Sequence, residues 1–109
     1  MSAQTHHDKM LDQIIREAHV LGIDDVIWAE KEVPVTVPNG TRLLTAIDVL
    51  IFNGQYHCIE YKSSDKSFTK AERQLDLAAH YVRQYYGINP TCYFVHGDDM
   101  AFEIVTPER

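Results

Sequence analysis

No apolar run in this 109-residue chain approaches the ~20 residues that a membrane-spanning helix needs, so no membrane association is expected. The N-terminal segment lacks the apolar core of a signal peptide, which points to the cytoplasm. Cysteine is scarce. Cys58 and Cys92 do not form a Cys-x-x-Cys pair, which argues against a zinc or iron–sulfur site. Both fall in expected strands and read as reduced, buried thiols. There is no internal repeat, no low-complexity segment and no linker long enough to separate domains, so residues 1–109 are expected to form a single domain. Positive charge is also short. Ten Lys and Arg face sixteen Asp and Glu, and the net charge of −6 excludes whole-surface attraction to nucleic acid.

What is present reads as a globular domain: apolar content is 45 % against 24 % charge. The charge is uneven. Residues 1–37 carry seven acids and three bases, and residues 98–109 carry four acids and one base. Between Lys62 and Arg73 the balance reverses, with Lys62, Lys66, Lys70 and Arg73 against two acids. Clusters of this kind supply phosphate contacts, although a lone lysine at a helix start is usually just solvated.

Apolar spacing predicts a first helix over residues 8–21, ended by Gly22. A strand is expected over 26–37, with Pro34 marking it as an edge or bulged strand. Pro38-Asn39-Gly40 reads as a turn. Strands over 42–52 and 56–62 form a hairpin. Thr69 and Glu72 match a capping box for a second helix that ends at Gly87, with Ala71, Leu75, Ala78, Val82 and Tyr85 as its buried stripe. Strands over 91–96 and 101–105 follow. The order α-β-β-β-α-β-β requires a crossover, so the expected fold is α/β, a mixed sheet flanked by helices. Trp28 reads as a core anchor. The six histidines show no ligand spacing with one another and read as structural or exposed.

The hairpin carries the chemistry. Its first strand, Ala46-Ile47-Asp48-Val49-Leu50-Ile51-Phe52, holds one acid in an apolar run, and its second ends Glu60-Tyr61-Lys62. Strands this apolar are normally buried on both faces, where a carboxylate is costly without a charged neighbour. Glu60 and Lys62 share a face by alternation. A two-residue Asn53-Gly54 loop would set Asp48 opposite Ile59. A three-residue loop, Asn53-Gly54-Gln55, sets it opposite Glu60. The longer loop is the expectation, with a divalent cation as the partner of the two acids. The plainer reading is a structural ion-pair network with Lys62, a poor bargain against apolar packing.

These residues, in this order of elements, resemble the PD-(D/E)XK nuclease superfamily. Asp48, Glu60 and Lys62 match its three signature positions, and the wording Ile47-Asp48-Val49-Leu50-Ile51-Phe52 with Ile59-Glu60-Tyr61-Lys62-Ser63 looks like restriction-type enzymes and small resolvases. The resemblance covers about residues 8–105. Ile47 stands where the signature's name has proline, and Ala78 rather than tyrosine follows Gln74 by four residues. The resemblance implies a restriction-endonuclease-like core and Mg2+ (or Mn2+) held by Asp48, Glu60 and the backbone carbonyl of Tyr61. It also implies a first-helix acid, here Glu17, completing the site, and a catalytic glutamine, Gln74, on the second helix.

The implied activity is hydrolysis of DNA phosphodiesters by an endonuclease. The cation neutralises the phosphate and activates water. A lysine acting as base must lose its proton, and two neighbouring carboxylates favour keeping it. Lys62 is therefore expected to orient water or stabilise developing charge. Lys66, Lys70, Arg73 and Arg42 are candidate phosphate contacts. Branched, single-stranded and duplex DNA are all open as substrates, as is RNA. A homodimer, or a place in a larger complex, would let an acidic chain grip a duplex with two local basic patches. The competing reading is a nuclease-fold module that binds or assembles without turnover.

Overall fold

Thr5 opens the first helix, its hydroxyl accepting the Asp8 N–H at 3.1 Å. In the computed structural model, which describes residues 4–37 and 42–107, this helix (α1, His6–Arg16) buries Met10, Leu11 and Ile14. The apolar spacing predicted one helix to residue 21. Instead the chain tightens into a 3-10 turn, Ala18–Leu21, closed by Gly22 in the left-handed conformation at φ 81°. The tighter winding eclipses positions three apart, so Ala18 and Leu21 are buried on one side.

Five strands follow the expected positions closely: β1 (Trp28–Thr36), β2 (Leu43–Phe52), β3 (Tyr56–Lys62), β4 (Thr91–His96) and β5 (Ala101–Val105). A second 3-10 turn, Asp65–Ser67, leads into α2 (Phe68–Tyr86). The capping box expected of Thr69 and Glu72 is not used. The helix starts one residue earlier, with no side-chain cap at Ser67, because the 3-10 turn runs straight into it. The Ser64 hydroxyl instead accepts the Lys66 N–H at 3.1 Å, ahead of the helix. Tyr85 also departs from expectation: it is 70 % exposed. Tyr86, one turn beyond Val82, is also exposed at 42 % but stacks on Tyr56 at 4.4 Å.

The sheet runs β1-β2-β3-β4-β5. Only β3 and β4 are parallel, joined by the α2 crossover; the other pairs are antiparallel. Pro34 sits in edge strand β1, where a missing donor is tolerated. The two helices cover opposite faces. On one, α1 meets Val49, Ile51, Ile59, Tyr61, Tyr93 and Val95. On the other, Ala71, Leu75, Ala78 and Val82 of α2 meet Leu50, Cys58, Cys92 and Phe94. Trp28 is only partly buried, packing at the rim of the second cluster against Phe52 and Tyr56. Both cysteines are free and buried. The expected turn at Pro38-Asn39-Gly40 lies outside the described residues. No helix among the described residues is long and apolar enough to cross a membrane.

Candidate functional site

The hairpin register sets the site. Phe52 pairs with Tyr56, so the loop is Asn53-Gly54-Gln55, the longer of the two alternatives. Asn53 explains the choice. Its Oδ1 accepts from the Gln55 N–H at 3.2 Å and lies 2.9 Å from His57 Nε2, while its amide donates to the Asp24 carbonyl at 2.9 Å. Gly54 takes φ 102°, which a side chain would resist. The paired residues end at Val49 and Ile59, and Asp48 and Glu60, the next residue on each strand, are in hydrogen-bonding contact.

At that step the β1–β2 ribbon rolls over. Ala29 and Lys31 lie on the α1 side, Lys31 pairing with Asp12 of α1 at 2.6 Å. Val33 and Val35 pack on the α2 side. Strand β2 does the same: Val49 and Ile51 face α1, whereas Ile47 faces α2. Alternation cannot produce this, since odd positions should share one face. The switch falls at the pair between Lys31↔Val49 and Val33↔Ile47, namely Glu32 and Asp48. Glu32 absorbs the rotation at φ 53°, a conformation that a non-glycine residue adopts at a cost.

Asp48 therefore stands where the two faces meet and reaches both β3 and α1. Its Oδ2 accepts the Tyr61 N–H at 2.9 Å, taking over a ladder position. The same oxygen lies 3.4 Å from Nε2 of His7 in the first turn of α1. Its carboxyl is also within hydrogen-bonding range of the Glu60 carboxyl. Glu60 is 2 % exposed. Burial above all, then the negative charge of Asp48, pushes its carboxyl up to about 9, and the nearby Lys62 ammonium only partly offsets this. Glu60 Oε1 has no hydrogen-bond partner, and neither does Gln74 Oε1; both atoms are buried. Among the described residues, Lys62 forms no ion pair with either acid.

The remaining predicted residues divide. Gln74 is on α2, its amide donating weakly to the Thr45 hydroxyl at 3.5 Å, so it belongs to the same side as Glu60. The peptide of Tyr61 lies beside Asp48, through its N–H. Lys66, Lys70 and Arg73 are exposed at the start of α2, continuing the chain from Lys62. Arg42 is exposed just before β2. At ~3.3 Å per strand residue it lies roughly 20 Å from Asp48, too far to share its phosphate. Glu17 does not join the centre. It caps the far end of α1, about 15 Å of helix rise from His7. The helix that was expected to bring an acid brings an imidazole instead. The six histidines were expected to be structural or exposed; His7 is half-exposed and stands beside Asp48. Only the strand order, which lays the start of α1 across β2, could have revealed it. His96, paired with Lys62 on β4, also borders the site and was not singled out by sequence.

The sequence matches no family model, and no curated protein matches it. The geometry and chemistry of these side chains are therefore the basis for function. A neutral Glu60 carboxyl hydrogen-bonded to Asp48 could fill the site without a cation. That arrangement leaves a buried carboxyl oxygen unsatisfied, a cost of about 1–3 kcal/mol. A divalent cation would satisfy it and cancel the repulsion between the two acids. The donor set of hard carboxylate oxygens suits Mg2+ or Mn2+.

Proposed function

We propose that this chain is a metal-dependent nuclease hydrolysing DNA phosphodiester bonds on a restriction-endonuclease-like core. The observation that carries the reading is the Asp48–Glu60 pair: two carboxyls in hydrogen-bonding range, one with a buried oxygen that nothing in the fold satisfies. The resemblance to the PD-(D/E)XK superfamily adds to it. A helix, three strands and a crossover helix leading to a parallel fourth strand are consistent with the core which that resemblance implies.

Asp48, Glu60 and the Tyr61 carbonyl would hold the cation. When bound, it supplies charge neutralisation at the phosphate and acidifies water. The side chains do the rest. The Lys62 ammonium offers three donors beside the acids, orienting the attacking water and stabilising charge that develops on the phosphoryl oxygens. Gln74 presents an amide from the covering helix and positions water or a phosphate oxygen. Lys66, Lys70 and Arg73 extend the cationic strip along the DNA backbone. Arg42 would contact a separate phosphate. The chain's acidity makes a homodimer, or membership of a larger complex, the natural way to grip a duplex.

The test is a cleavage panel of linear duplex, single-stranded, flapped and four-way-junction DNA, with an RNA arm, with and without Mn2+. Metal-dependent cleavage that vanishes in Asp48→Ala, Glu60→Ala and Lys62→Ala supports the reading. Folded protein that cuts nothing on the panel sinks it. The net charge of −6 favours a second reading, a nuclease-fold binding or assembly module. Calorimetry that detects no divalent-ion site would select it.

A further inference from the structure

We infer that His96, at the end of β4, is a catalytic residue of the proposed hydrolysis, giving a ring proton to the oxygen that leaves phosphorus. This rests on the nuclease reading above and deepens it, because that reading assigns no group to the leaving oxygen. Three observations carry it. The first is register. His96 pairs with Lys62 and Phe94 pairs with Glu60 across the one parallel pair of the sheet. Directly paired residues share a face, and the ring of His96 stacks on that of Phe94 at 5.1 Å and 27°. His96 therefore stands on the face of Glu60 and Lys62, one strand over. The charged side chains beside it on the neighbouring strands are Glu60 and Lys62 of β3 and Glu103 of β5.

The second observation is that the ring is held yet free to donate. Phe94 is fully buried and fixes the ring's plane, while His96 itself is half-buried. Among the described residues neither of its ring nitrogens has a hydrogen-bond partner. The third is spacing. Neighbouring strands lie about 4.8 Å apart. Groups that clamp the attacking and the leaving oxygen of an in-line displacement stand about 3.5–4 Å apart. Two side chains leaving adjacent strands at one level span such a pair of oxygens with a small convergence. Both also lie at the carboxyl ends of parallel strands, where open sheets of this kind bind their ligands. With Lys62 at the attacking water, the neighbouring position falls to the leaving oxygen. Histidine is the side chain that holds and releases a proton near neutral pH. Water attacks phosphorus, and the bond to the leaving oxygen breaks with its electron pair on that oxygen. His96 supplies the proton that makes it a hydroxyl. The attacking water gives up a proton to solvent, and solvent returns one to the ring.

The experiment compares two DNA substrates with Mn2+ throughout: the ordinary phosphodiester that wild type cuts best, and the same strand with sulfur as the leaving bridging atom, placed 3′ or 5′ as the wild-type products direct. A thiol leaves as thiolate and needs no proton. His96→Gln should lose about 10²-fold in kcat on ordinary DNA, with KM changed less than about 3-fold. On the sulfur substrate it should cut within about 3-fold of wild type. Lys62→Met should be impaired on both. A further measurement uses no variant: in wild type with Mg2+, the His96 ring signals, assigned by NMR, should shift on saturation with the cleaved strands. His96→Gln that cuts ordinary DNA as wild type does, or that is equally impaired on both substrates, overturns the role of His96 and leaves the nuclease standing. Ring signals that ignore saturating product overturn it too, even where the variant does not fold. Wild type that cuts neither substrate overturns the nuclease reading and this inference with it.

Discussion

Glu60 spends its life 2 % exposed, with its carboxyl pushed from 4.5 up to about 9. Exchanging it for glutamine separates what it does for stability from what it does for function. Between those two values the native protein carries a proton that the unfolded chain has lost. The unfolded state then binds fewer protons, so stability falls as pH rises, by about 1.4 kcal/mol per pH unit. Native stability from this group is complete below about pH 4 and drains away towards pH 9. By pH 7 the loss is about 3 kcal/mol. Glutamine has the same shape as the protonated acid and no charge to bury.

Glu60→Gln should therefore be about as stable as wild type at pH 4 and about 3 kcal/mol more stable at pH 7, with chelator present. In urea this is a midpoint shift of about 2 M, for a slope of about 1.5 kcal/mol/M. Adding Mn2+ at 100 times its Kd should stabilise wild type by about 2.7 kcal/mol and leave the variant unmoved. The trade of stability for a charge-bearing centre is what a functional carboxylate, as opposed to a structural one, produces. A variant no more stable than wild type at pH 8, or a gap equal at pH 4 and pH 8, would refute the reasoning. Glu60 would then be ionised within a satisfied native network that has no use for a cation.

Two further outcomes are expected. Lys62→Met should keep divalent-ion affinity within about 3-fold by calorimetry while cleavage falls about 10²–10³-fold, as when one preorganised donor to developing charge is removed; equal losses in both would make Lys62 a binding residue. At the roll-over, Glu32→Gly should match wild-type stability within about 1 kcal/mol, whereas Glu32→Val should lose about 1–2 kcal/mol, because a β-branched side chain resists φ 53°. Urea midpoints of the pair measure this, and equal stability for glycine and valine would show that no backbone strain is held there.

Much of the framework was legible because its signals are local. Pro34 announced an edge strand, Gly22 and Gly87 announced helix ends, and the apolar hairpin announced itself through alternation. The loop length was legible only through chemistry, from the requirement that two acids face each other; Asn53 then proves to be the residue that enforces it. The helix starts were less legible. A capping box at Thr69 and Glu72 is a sound local signal, but the preceding 3-10 turn overrides it. Tyr85 fits the apolar stripe as well as Tyr86 does, and only the tertiary partner Tyr56 decides between them.

The roll-over at Glu32 and Asp48 was not legible at all, and it makes the site. No glycine marks it, and the strands on either side alternate normally. Had β2 alternated throughout, Asp48 would serve one face only, either Glu60 on the α2 side or His7 on the α1 side. The rotation lets a single carboxylate border both, with Glu60 on one side and His7, at the start of α1, on the other. The pattern Asp…Glu-x-Lys thus identifies the two acids that meet. The backbone between them and α1 decides which other groups they can meet, and that depends on a pairing between distant strands that no local motif encodes.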